Sequence, residues 1–190
     1  MSTAPYRATI EHVETALRST FGEIDEWFEK PAGLRSHKPA SGGWSIDEVL
    51  EHITLTSHFL MIVIRNSTRK ALKKAASGTA VPQGESDLDI LEAIGQRGSF
   101  NWSRPEHMIP TGTVPTEQVR ATMREQVAEC LEMLGQLRGG EGSLYTVRMS
   151  VNQSGRLDIY QWLYFLAQHA KRHISQMEDV EAEWIKTHGR

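Results

Sequence analysis

Four long stretches of this chain repeat an apolar residue every three or four positions, a period that commits them to packed helices. The first runs from about Tyr6 to Phe28, with Ile10, Val13, Leu17, Phe21 and Ile24 on one stripe, and Pro31 and Gly33 end it. The second opens at Ser45, a good N-cap, with Glu48 three residues on to complete a capping box. Trp44 and Val49 stand where a hydrophobic staple would, and the helix is predicted through Ile53, Leu60 and Ile64 to about Leu72. The third follows Thr116, carries Val119, Met123, Val127, Cys130, Leu131 and Leu134 on its apolar side, and stops at Gly139, Gly140 and Gly142. The fourth is predicted from Asp158 to Trp184.

Between the second and third helices, Ala75 to Pro115 is irregular and holds Pro82, Pro105, Pro110 and Pro115. One short helix, Ser86 to Ile94, is predicted there in an otherwise extended crossover. Crossovers this long inside a compact domain often serve as lids or oligomer contacts. Leu144 to Val151 leans towards β structure, as a small hairpin or loop. The expected fold is all-α: a four-helix bundle with a long crossover between helices two and three, one domain over residues 1–190.

A chain of 190 residues can bury a sizeable core without disulfides or a structural metal, so any metal it binds is expected to be functional. A formal net charge of -3 argues against a general nucleic-acid binder, which needs a basic surface to displace counterions. The lone cysteine, Cys130, excludes an intrachain disulfide and reads as a buried packing residue in a reducing compartment. No run of about 18 apolar residues is present, and Met1 to Ile10 has no signal-type apolar core. The expectation is a cytoplasmic protein without a membrane span.

Histidines carry the chemistry. His169 and His173 are four apart, one turn on the same helical face. At about 100° per residue, Trp162, Phe165, Leu166, Gln176, Met177 and Val180 share that side, so both imidazoles are expected to face the core. In the second helix His52 shares its side with Val49, Thr56, Phe59, Leu60 and Val63, whereas His58 points away. An i,i+4 histidine pair alone is a weak signal, and a lone inward histidine is usually a core residue. Three inward imidazoles from two helices form a facial set with open positions for water or substrate, the arrangement of a catalytic metal site. His12, His37, His58, His107 and His188 show no such arrangement and read as surface or loop residues.

Around the three, Glu48 lies one turn before His52, either as the capping-box carboxylate or as a general base, and the two roles can coexist. Gln176 is placed to support His173 or a metal-bound water, and Trp162 to wall a substrate; ordinary packing is the alternative for each. The basic run of Arg65, Arg69, Lys70, Lys73 and Lys74 complements a helix C-terminus. Its sharper reading is an anion site for a cofactor's carboxylates.

The run from Gly43 to His52, GWSIDEVLEH, and the run from His169 to Gln176, HAKRHISQ, together resemble the two signatures of the DinB-like family of metal-binding helical bundles. Order and separation fit over nearly the whole chain. The resemblance implies a four-helix bundle with a divalent metal held by three histidines, here His52, His169 and His173. Imidazole ligands put zinc first and nickel second. Members of that family include thiol-dependent transferases and a mycothiol-dependent maleylpyruvate isomerase. The resemblance therefore implies a metal-dependent enzyme that uses a low-molecular-weight thiol for S-transfer to a small-molecule substrate. Two alternatives stand beside it: a non-catalytic metal- or ligand-binding stress-response protein, and a metal-dependent hydrolase with Glu48 as base. A homodimer is expected from the exposed bundle faces and the crossover.

Overall fold

The computed structural model describes residues 5–98, 105–149 and 155–188. Among these the fold is mostly helical, as the periodicity requires. Helix α1 spans Arg7–Trp27 and buries Ile10, Val13, Leu17, Phe21 and Ile24. Its first turn has no side-chain cap of its own. Glu85 from the crossover supplies one, accepting from the N–H groups of Ala8 at 3.3 Å and Thr9 at 2.8 Å. A carboxylate there satisfies orphan donors and complements the positive end of the helix dipole. A single helical turn, α2 (Ala32–Arg35), follows Pro31.

Helix α3 spans Ile46–Ala76, one turn longer than predicted. The capping box is present in both directions: Ser45 Oγ accepts from the Glu48 N–H at 3.3 Å, and Glu48 accepts from the Ser45 N–H at 2.8 Å. Helix α4 covers Thr116–Gln136 and α5 covers Ile159–His188. The start of α5 is fixed by a second reciprocal cap: Asp158 accepts from the Gln161 N–H, and Gln161 accepts from the Asp158 N–H, both at 2.9 Å. Helices α1 and α3 each pack against both α4 and α5, which places α1 and α3 at opposite corners of a four-helix bundle. Every residue of α5 from Ile159 to Ala170 is buried.

The crossover is two anchored pieces. Its first half forms a 3₁₀ helix, Asp89–Gly95, rather than an α-helix from Ser86. Ser86 is held outside the helix by two contacts: its N–H donates to Thr9 Oγ1 at 3.0 Å and its hydroxyl to Asp158 at 2.5 Å. Leu91 and Ile94 then pack on α5. A second 3₁₀ turn, Glu106–Met108, lies against α3. The β-leaning stretch forms half of a two-stranded antiparallel ribbon, β1 (Val147–Met149) with β2 (Gly155–Leu157), in which Val147 faces Leu157. Val151, the end of the predicted stretch, lies outside the described residues.

Near the ribbon, Tyr160 ties three pieces together. Its hydroxyl donates to the Leu137 carbonyl at 2.5 Å and accepts from the Gly142 N–H at 3.2 Å. A Cβ on Gly142 would stand 2.6 Å from the Tyr160 ring, so only glycine fits there. Lys74 at the end of α3 donates to the Leu144 carbonyl of the same α4–α5 connection, at 3.0 Å. The C-terminus of α3 therefore lies beside the N-terminus of α5, and the two helices run antiparallel, bringing His52 level with the middle of α5.

Candidate metal centre

His52, His169 and His173 meet in the bundle interior, 4%, 3% and 9% exposed. Each offers a ring nitrogen, and the three nitrogens all lie within 4.8 Å of one another. Ring centroids are 5.4 Å apart for His52 and His169, 4.8 Å for His52 and His173, and 4.7 Å for His169 and His173. Helical periodicity brings the α5 pair together; the antiparallel packing of α3 on α5 brings the third.

The outward nitrogens of two rings are held by oxygen acceptors. His52 Nδ1 lies 2.6 Å from the Met108 carbonyl, and His173 Nδ1 lies 2.9 Å from Gln176 Oε1. A carbonyl oxygen only accepts, so each Nδ1 carries the proton and Nε2 is the lone-pair nitrogen of that ring. His173 Nε2 and His169 Nε2 are 3.2 Å apart. Two imidazoles on one tetrahedral ion at about 2.0–2.1 Å each place their nitrogens about 3.3 Å apart. The observed edge matches that requirement, and the all-imidazole donor set suits zinc or nickel. Burial, and after it the neighbouring His173, His52 and Arg172, push the His169 imidazole well below its ordinary pKa. His169 is thus neutral at neutral pH, the form that ligates.

The other sequence candidates fall at different distances from the three. Gln176 is the direct hydrogen-bond partner of His173, and it borders a cleft of about 140 Å³ together with Arg97, Arg172 and Asp179. Trp162 is buried two turns before His169 and contacts the site through Phe165, with centroids 6.2 Å apart; Phe165 in turn stacks on His169 at 6.5 Å. The Trp162 Nε1–H has no hydrogen-bond acceptor among the described residues. The Glu48 carboxylate is engaged by the Lys38 ammonium as well as by the Ser45 N–H. Burial pushes its carboxyl up, but those hydrogen bonds outweigh burial and hold it below the usual carboxylate range. Trp44, expected as a staple to Val49, lays its ring against His52 at 4.8 Å.

The five remaining histidines stay apart from this cluster. His12, His58, His107 and His188 are exposed, and half-buried His37 pairs with Glu183 at 3.3 Å. The basic run also lies elsewhere. Lys70 is 18 residues beyond His52, about 27 Å along the helix axis. There Lys70 bonds the Tyr145 hydroxyl at 3.0 Å, Lys74 caps Leu144, and Arg65 pairs with Glu129.

Two contributors escaped the sequence reading. One is the Met108 backbone carbonyl, which no side-chain pattern can announce. The other is Glu51, 4% exposed, whose carboxylate accepts from Thr111 N and Oγ1, each at 2.9 Å, and from Gly112 N at 2.8 Å. Glu51 had no clear signal, because Asp47 and Glu48 already make the first turns of α3 acidic and a third carboxylate there does not stand out. Its partners sit 60 residues away in the crossover.

A helical bundle that gathers three imidazoles from two antiparallel helices has the architecture of bundle proteins with a metal site in the core. The chain belongs to the DinB superfamily, whose sequence profile matches residues 8–177. It is similar to the uncharacterized protein YuaE of Bacillus subtilis (strain 168), with 25% identity over 148 residues that cover 77% of this chain and 82% of that protein. No solved structure matches the chain. Among the described residues no helix is long and apolar enough to cross a membrane.

Proposed function

We propose that His52, His169 and His173 hold one divalent ion, zinc or nickel, and that the protein is a metal-dependent transferase using a low-molecular-weight thiol. The observation that carries this reading is the convergence of three buried imidazoles, two of them oriented by oxygen acceptors on Nδ1. An ion bound by three protein ligands keeps an open position, where it lowers the pKa of a bound thiol or water. The chain's own groups do the rest. Met108 and Gln176 fix the tautomer and tilt of two ligands, and burial keeps His169 unprotonated. Phe165 and Trp162 wall the interior against water. The cleft beside Gln176 is bordered by Arg172 and by the Arg97–Asp179 ion pair, which the carboxylates of a small thiol would have to open to reach Arg97.

The hydrolytic alternative needs Glu48 as a base. Its carboxylate is committed to Lys38 and Ser45 and held below the ordinary range, which favours the transferase reading. Elemental analysis of untagged protein beside His52→Ala, His169→Ala and His173→Ala tests the centre. About one equivalent of metal is expected in the parent, with a sharp loss in each variant. Saturable binding of a low-molecular-weight thiol to the metal-loaded parent tests the chemistry. A metal-loaded protein that binds none retains only the role of a metal-binding module.

A further inference from the structure

We infer that Glu51 is a positioning residue for the centre, acting on His52 through the crossover. The inference rests on the reading that His52, His169 and His173 bind a metal. A buried carboxylate is costly unless its oxygens are satisfied. Here both are, by two backbone N–H groups and one hydroxyl, all from residues 111 and 112, and no ion pair joins Glu51 among the described residues. Leucine or glutamine would serve the packing of α3 at lower cost. The charge makes each of the three hydrogen bonds stronger than a neutral one, and together they clamp the returning end of the crossover onto the first turns of α3.

That clamp lies three residues from the Met108 carbonyl that holds His52 Nδ1. The link between them is short and stiff. Pro110 is buried and its ring fixes the backbone, and Met108 N and Ile109 N are both bonded back into the 3₁₀ turn, at 3.0 Å. Gly112 seals the other side: it has φ +68°, and a Cβ there would stand 3.3 Å from Glu48 Oε1. Consecutive side chains of one helix thus grip one loop, Glu51 by its backbone donors and His52 by its backbone acceptor. With Glu51 in place the His52 ring is held with Nε2 as its ligand nitrogen. Without it the loop lifts, the carbonyl leaves Nδ1, and the ring is released to rotate and to change tautomer.

The test compares the full-length parent with Glu51→Gln, which keeps the shape and removes the charge, and with Thr111→Val, an exposed position that loses one of the three hydrogen bonds. Zinc affinity is read by competition with a chromophoric chelator. Protection of the His52 Nδ1 proton is read by NMR on zinc-loaded, nitrogen-labelled protein. The expected result is a loss of affinity of about 10- to 100-fold for Glu51→Gln, a smaller loss for Thr111→Val, and faster exchange of that one proton in both. A parent that binds no zinc overturns the metal reading itself and the inference with it. A parent that binds zinc, with both variants within about twofold of it and the His52 proton equally protected, overturns the inference alone. If Glu51→Gln does not fold, Thr111→Val decides by the same two readouts.

Discussion

Replacing Gln176 with leucine tests the other ligand support in isolation. Gln176 is half-buried on α5 and its Oε1 lies 2.9 Å from His173 Nδ1. Leucine keeps the helix and the bulk and removes the acceptor. The lost hydrogen bond is neutral and of normal length, worth about 1 kcal/mol net, which is roughly a fivefold change in affinity. The ring then also gains freedom to turn, and removal of an acceptor behind a ligating histidine typically costs about 10- to 100-fold. Zinc affinity of Gln176→Leu is therefore expected to fall between about fivefold and about 100-fold. Gln176→Glu works in the opposite sense: a carboxylate acceptor gives a charge-assisted bond about twice as strong and makes the imidazole a better donor to the metal. The assay is competition with a chromophoric chelator at fixed pH, beside urea unfolding of metal-free protein to show that both variants keep the parent's fold. Affinities of both variants within twofold of the parent would refute the claim that Gln176 orients a metal ligand.

Two further expectations concern the frame around the centre. Tyr160→Phe leaves the Leu137 carbonyl and the Gly142 N–H without their partner in a fully buried place, and should lower stability by about 2–4 kcal/mol in denaturant titration; a change under about 0.5 kcal/mol would mean that water reaches both groups. Asp25 lies between Arg120 and Arg124, whose hydrogen bonds hold its carboxyl far below the ordinary 3.8. Its folded pKa is depressed, so its stabilising contribution is present above the unfolded value and is lost as pH falls below it. Asp25→Asn should flatten the acid limb of the stability profile below about pH 4, an effect to be measured by thermal melts at low salt because the cluster is partly exposed.

The parts of this fold written in local pattern were legible. The four long helices follow from spacing alone, and Ser45 with Glu48 set the start of α3 to the residue. The two α5 histidines were fixed by their turn, and His52 by the apolar residues on its side. What local pattern does not contain is the identity of distant partners. Glu48 reads first as a cap, and the added role of a base stays open until Lys38, ten residues back, is found on its carboxylate. Ser86 looks like the start of a helix until Thr9 and Asp158 are seen to hold it outside one. Trp44 reads as a staple, yet its ring lies on His52. The orienting carbonyl of Met108 has no sequence signature, because every residue has a carbonyl and only the return path of the crossover aims this one.

That return path has a consequence for when the centre can exist. During synthesis α3 and His52 are made early, the crossover follows, and His169 and His173 arrive only with α5. A ribosome-bound chain that has completed α3 and α4 holds one of the three imidazoles and none of the i,i+4 pair. If the three hold an ion, as proposed, the full ligand set exists only once α5 has emerged.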